Sequence, residues 1–246
     1  MAQCQCSIYC KKPIKPGTPF CEFHNAHGCP RKSPLSGYEP TYNPDIYNTD
    51  KTIRHSHNCF AYAFGVLDKS QIDKCAKTDD CNVAFHGPGI KSGYRRLKGE
   101  DGKTCADTMA RTLADSDGGY AIGFTGRCRR GFSKIATVVD PDADFHYYRQ
   151  DKPRPGEKVS RWSHKPGATP VTDLDSNGNP IYDPAIAGRR YPVDKNHNHE
   201  LDYTGFCGYY CIPRNKKLTI ASGGSSAQKA TRKRKSSRHK TRRQAH

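Results

Sequence analysis

Cys6, Cys10, Cys21 and His24 stand in the spacing Cys-x3-Cys-x10-Cys-x2-His, two close pairs separated by the turn-rich stretch KKPIKPGTPF. A tetrahedral Zn2+ takes four such ligands, and each close pair can reach the ion from a single turn. The spacing therefore predicts a structural zinc site. Thirty residues cannot build a hydrophobic core, so the metal would supply the folding free energy of this module. Cys4, His27 and Cys29 lie close enough to replace one of the four. A cluster of free thiols is the plainer reading of the same residues.

A second set is spread through the body of the chain. Cys59 follows His57-Asn58 and opens the apolar stretch Phe60-Ala61-Tyr62-Ala63-Phe64, which predicts a buried helix capped by Asn58 or His57. At the amino end of a helix the dipole favours thiolate over thiol. His146 falls on a predicted strand, where an imidazole can face the helix start, and Asp173 or Asp175 follows to orient it. Nucleophile, base and orienting acid in that order follow the logic of a cysteine hydrolase. The oxyanion would lie at the Cys59 backbone N–H, helped by a side chain from His57 or Asn58. His164, read as part of a polar loop, is the rival base, and a strand holds His146 more rigidly. The bland readings are a small core cysteine, an ordinary half-buried histidine, and Trp162 as a packing anchor. Asn196-His197-Asn198-His199-Glu200 reads as a solvated loop, because adjacent side chains diverge.

These residues need elements to hold them. Residues 104–115 predict an amphipathic helix with Met109 and Leu113 at i, i+4. Ser133–Asp140 is β-branched and bounded by Pro141, Asp144–Gln150 alternates, and further strands are expected near 168–172 and 205–212. Asp175-Ser176-Asn177-Gly178 is a turn. Helices followed by a mostly antiparallel sheet make an α+β chain. Four parts are expected: a zinc module over 1–30, an extended linker over 31–52, the main domain over 53–220 and a basic tail over 221–246.

The 246 residues carry a formal charge of +17 and 34% hydrophobic residues, with 22 glycines and 17 prolines. No apolar run is long enough to span a membrane, and Met1–Ala2–Gln3 leads into cysteines without an apolar signal segment. A soluble protein of a reducing compartment is expected, with its 12 cysteines used for metal or catalysis before disulfides. In an oxidising compartment, Cys75/Cys81 and Cys207/Cys211 are the candidate bridges. From Lys229 to Arg243 nine basic residues meet no acid, after the hinge Ser222-Gly223-Gly224-Ser225-Ser226. Such a segment is expected to be disordered when free and to bind DNA or RNA without sequence preference, to direct nuclear import, or simply to add solubility.

Asn58-Cys59-Phe60-Ala61-Tyr62-Ala63, Asp144-Phe145-His146-Tyr147-Tyr148-Arg149 and Trp162-Ser163-His164-Lys165-Pro166-Gly167 together resemble the papain-like NlpC/P60 class of peptidases and amidases. The resemblance implies a papain-like helix plus antiparallel sheet, a peptide or amide substrate, Cys59 as nucleophile and His146 as base. No Gln stands a few residues before Cys59, so the oxyanion donor of papain itself is missing. From residue 4 to about 214 the chain also resembles uncharacterised proteins of large nucleocytoplasmic DNA viruses. That likeness implies a viral protein of host cytoplasm or nucleus, packaged in the virion among other virion proteins. The alternative it carries is a non-catalytic virion structural or nucleic-acid-binding protein on a papain-like scaffold.

Overall fold

A computed structural model gives the architecture. It describes residues 2–78, 81, 85–96, 104–157, 159–193 and 200–221; the basic tail beyond 221 and the 196–199 part of the histidine-rich loop lie outside them. Six helices come first: α1 (Glu22–His27), α2 (Asp45–Asn48), α3 (Lys51–Ser56), α4 (Cys59–Phe64), α5 (Lys69–Thr78) and α6 (Cys105–Asp115). Then come β1 (Tyr120–Ile122), β2 (Phe132–Asp140), β3 (Asp144–Gln150), β4 (Trp162–His164), β5 (Arg190–Tyr191), β6 (Leu201–Asp202) and β7 (Gly205–Pro213). Five strands form one antiparallel sheet in the order β1-β7-β2-β3-β4, and β5 pairs with β6. The fold class is α+β. No helix among the described residues is long and apolar enough to cross a membrane.

The sheet is buried on both faces, which is why every residue of β2 is buried. Strand alternation sends Ile135, Tyr147, Tyr210 and Ile212 to one face, against Phe60 and Phe64 of α4 and Met109 and Leu113 of α6. Ala136, Val138, Tyr148, Trp162 and Tyr209 go to the other face, against Cys4, Cys6, Phe20, Cys21 and Tyr182. At about 1.5–3 kcal/mol for each large apolar side chain taken from water, neither face could be left bare. The N-terminal residues are thus one wall of the core. Gln5 fastens them, its Nε2 donating to the Pro180 carbonyl at 2.9 Å and its Oε1 accepting from Tyr182 N at 2.6 Å and Asp183 N at 3.0 Å. Arg31 ion-pairs with the buried Asp183, which also accepts from the Tyr209 hydroxyl.

Four disulfides join Cys6–Cys29, Cys75–Cys81, Cys105–Cys207 and Cys128–Cys211. This corrects the expectation that the cysteines serve metal or catalysis before disulfides. Cys75 and Cys81 do pair with each other, but Cys207 and Cys211 do not. They lie four residues apart on one strand, roughly 13 Å, beyond the span of a disulfide, so each bonds to a different segment. The hairpin β2–β3 and strand β7 fall where the sequence places them. The expected strand at 168–172 is reduced to a single bridge between Thr172 and His164; Pro166 and Pro170 have no N–H to give a ladder. His164, read as part of a polar loop, lies instead on β4 with Trp162 and Ser163.

Candidate functional site

Donor atoms of Cys4, Cys10, Cys21 and His24 converge within 4.8 Å of one another. His24 Nδ1 lies 3.2 Å from Cys4 Sγ, 3.7 Å from Cys10 Sγ and 3.4 Å from Cys21 Sγ, and Cys10 Sγ lies 3.9 Å from Cys21 Sγ. Local structure explains the convergence. Cys21 is the N-cap of α1 and His24 sits on its first turn, and residues three apart on a helix share a face. Cys10 closes a turn, its N–H donating to Ser7 O at 3.0 Å, and Cys4 N donates to Lys12 O at 3.2 Å across the intervening loop. Cys6, expected as a ligand, is not one. It lies on the turn Gln5–Cys6, which carries its sulfur away from the cluster and into the bond with Cys29; Cys4 takes its place. The cluster can hold a metal ion.

The second set of residues divides across β3: Cys59 packs with Tyr147 on the α4 face, His146 shares the other face with Tyr148 and His164, and no contact joins Cys59 to His146 among the described residues. Asn58 caps the helix, its side chain accepting from Ala61 N at 3.2 Å and donating to His86 O at 2.8 Å. The far end of α4 is held by two arginines: Arg214 donates to Ala63 O at 2.7 Å and Arg149 to Tyr62 O at 3.4 Å. Cys59 is thereby fixed against the open edge of β3, beyond the point where β4 stops pairing. Its thiol donates to Phe145 O at 3.8 Å. Burial, followed by the nearby Asp144 carboxylate, pushes the thiol up, with the Tyr147 and Phe60 backbone amides and Lys165 opposing. The expected lowering by the helix dipole does not prevail: desolvation outweighs it, and the resting group is a neutral thiol.

His146 is one residue along β3 from the carbonyl that receives the thiol. Its Nε2 lies 2.7 Å from His164 Nδ1, and His164 Nε2 lies 2.9 Å from Leu174 O. A carbonyl only accepts, so His164 carries its proton on Nε2 and its Nδ1 accepts from His146 Nε2–H. His146 Nδ1 is left with its lone pair and makes no hydrogen bond among the described residues. Burial and the neighbouring His164 hold His146 well below the ordinary histidine range, and burial holds His164 at about 4.

Asp173 and Asp175, expected to orient the base, do not reach it. Asp173 receives Arg154 at 2.7 Å and Arg161 at 3.1 Å. Asp175 holds its own turn, accepting from Asn177 N, Asn179 N and Gly188 N. The group that orients His146 is His164, read from the sequence as the rival base. Lys165 and Tyr203 are also at the site and were not singled out in the sequence. Tyr203 lies 5.5 Å from the His146 ring and donates to Asp144 Oδ2 at 2.9 Å. Pro166, Leu201 and Tyr203 stand between His146 and a surface cleft of about 420 Å3 that Arg54, His55 and Asp144 also line.

The fold and sites define a disulfide-stapled α+β protein with a metal-type cluster of three cysteines and a histidine, a buried cysteine opening α4 and a buried pair of hydrogen-bonded histidines on β3 and β4. Its sequence is 30% identical over 151 residues to insoluble matrix shell protein 1 of Ruditapes philippinarum, an alignment covering 60% of this chain and 80% of that protein. The chain belongs to the family of that shell matrix protein. No family model and no solved structure matches it.

Proposed function

We propose that the chain is a thiol-dependent hydrolase of peptide-like amides, working through Cys59, His146 and His164 on a papain-like scaffold. The observation that carries this reading is the row Leu174 O, His164, His146, which fixes both imidazole tautomers and leaves His146 Nδ1 unprotonated. In this reading a water relays the Cys59 proton around the open edge of β3 to His146 Nδ1, and the thiolate adds to the amide carbon. The amine departs with the proton from His146, leaving a thioester. His146 then takes a proton from water, whose hydroxide cleaves the thioester, and the proton returns to sulfur. Iodoacetamide should label Cys59 near neutral pH, and His146→Ala should abolish both labelling and cleavage of a fluorogenic peptide amide. Unchanged labelling in that variant would remove the hydrolase.

Zinc is the metal we assign to Cys4, Cys10, Cys21 and His24, in a structural role. Zn–S bonds of about 2.3 Å and a Zn–N bond of about 2.0–2.1 Å at tetrahedral angles place sulfurs about 3.8 Å apart, and sulfur about 3.6 Å from nitrogen. The separations of 3.9 Å and 3.2–3.7 Å match. A disulfide among the three thiols would strand the third. The four disulfides support maturation in an oxidising compartment.

Kinship with an insoluble matrix shell protein supports a second reading, a non-catalytic structural component of an insoluble shell matrix. It is tested by co-sedimentation of the purified chain with isolated insoluble shell matrix. Cys59→Ala should sediment like the wild type; failure of both to sediment counts against it.

A further inference from the structure

Lys165 is fully buried, yet its ammonium is paired with no carboxylate among the described residues: its three N–H groups go to the main-chain carbonyls of Arg54 at 2.5 Å, His57 at 2.6 Å and Gly167 at 2.7 Å. A neutral amine has only two donors, so this arrangement is complete only when the group is charged. The carbonyls come from the last turn of α3, from the junction that delivers the chain into α4, and from the loop after β4. His57 is two residues from Cys59, and the cation and the thiol are close enough for each to shift the other.

We propose that Lys165 is a positioning residue for the Cys59 nucleophile: it fixes the chain entering α4 and supplies the buried positive charge that stabilises the Cys59 thiolate. The inference rests on the hydrolase reading and names what makes its nucleophile available. An isolated buried cation is costly, and the complement within its field is an anion that exists only when Cys59 is deprotonated. The remaining charged and titratable groups near Cys59 are Asp144 and Tyr147 on β3 and Tyr203 before β7, with Arg54 of α3 beside Lys165; His146 lies on the other face of β3. Asp144 opposes the thiolate, and none of the others is a cation paired with it. Burial draws the Lys165 ammonium down to about 7, while burial pushes the Cys59 thiol up. The two groups titrate as a coupled pair: the ammonium, held by its three carbonyls, favours the thiolate once the Cys59 proton has left.

The test is the pH profile of Cys59 alkylation by iodoacetamide in the full chain, read by mass spectrometry. Lys165→Met should shift the profile upward by about one pH unit, a tenfold slower reaction at neutral pH. A folded Lys165→Met protein with an unshifted profile overturns the proposal. If that variant does not fold, the reciprocal effect is read in the near-isosteric Cys59→Ser: 15N NMR of the Lys165 ammonium should show its midpoint lowered relative to wild type. Equal midpoints likewise overturn it. The two ideas fail separately. Loss of labelling in His146→Ala with no shift in Lys165→Met keeps the hydrolase and removes the role of Lys165; the converse keeps the charge coupling and removes the hydrolase.

Discussion

His164 Nδ1 receives the Nε2 proton of His146 at 2.7 Å, and the main-chain carbonyl of Leu174 fixes the direction of that bond. The pairing depends on register. Tyr148 lies opposite His164 across β3 and β4, so His146 and His164 emerge on the same face, one step apart along the ladder. If this bond sets the tautomer of the base, His164→Ala should lower kcat/KM on an amide substrate by roughly 10–100-fold, with His164→Asn recovering part of the loss. The effect belongs in kcat. A change confined to KM would place His164 in substrate binding.

The metal prediction separates two cysteines two residues apart. Cys4→Ser should remove bound zinc, measured as metal per chain by mass spectrometry, and should destabilise the N-terminal wall of the core. Cys6→Ser should leave the metal content unchanged, because that sulfur is bonded to Cys29. Retention of zinc by Cys4→Ser, or its loss from Cys6→Ser, would reverse the assignment.

What the sequence allowed one to read followed range of interaction. β2 and β3 were legible from β-branched content and a Pro-bounded hairpin, and the Asn58 cap from residue type beside an apolar run; both are local. β4 was not, because three residues that pair with the end of β3 and with single residues downstream carry no pattern of their own. The disulfides Cys105–Cys207 and Cys128–Cys211 join residues 102 and 83 positions apart, and nothing in spacing specifies such partners. The choice of Cys4 over Cys6 turned on a two-residue turn. Asp173 and Asp175 were misassigned because their carboxylates are taken by arginines and turn amides, competitors that only the fold brings near.

Those long-range bridges should dominate resistance to unfolding. Closing a loop of about 100 residues removes roughly 4–5 kcal/mol of chain entropy from the unfolded state. The double variant Cys105→Ser/Cys207→Ser should therefore lose about 4 kcal/mol in urea denaturation. A loss under about 1 kcal/mol would mean that the unfolded chain is already compact there.

Acid should weaken the fold through its buried imidazoles. Burial, then His86, holds His57 at about 4, and burial holds His164 at about 4, against about 6.5 in an unfolded chain. The folded state refuses a proton that the unfolded state accepts. Stability is therefore fully present above about pH 6.5 and declines as pH falls toward 4, by about 3 kcal/mol for each histidine. Denaturation at pH 7 and pH 4.5 should show the drop, and His57→Gln should reduce it. A flat profile would require these histidines to be charged in the native state.

Tyr203 covers His146 beside the adjoining cleft and should control access to the thiol site. Its ring lies over His146, its hydroxyl is tied to Asp144, and with Leu201 and Pro166 it separates His146 from the adjoining cleft. Cys59 and His146 are only 4% and 3% exposed, so a substrate amide reaches them only when this cover moves. Opening costs the ring's packing and one hydrogen bond; relieving about 1.4 kcal/mol of that cost is a tenfold gain in the open population. Tyr203→Ala should accordingly speed iodoacetamide labelling of Cys59 about tenfold at fixed pH. Tyr203→Phe, which loses the bond but keeps the ring, should give a smaller gain. Because access multiplies the rate without altering the thiol, the pH midpoint should stay in place for Tyr203→Phe, in contrast to the shift expected for Lys165→Met. Labelling that is no faster in Tyr203→Ala would mean that the thiol is reached by another route.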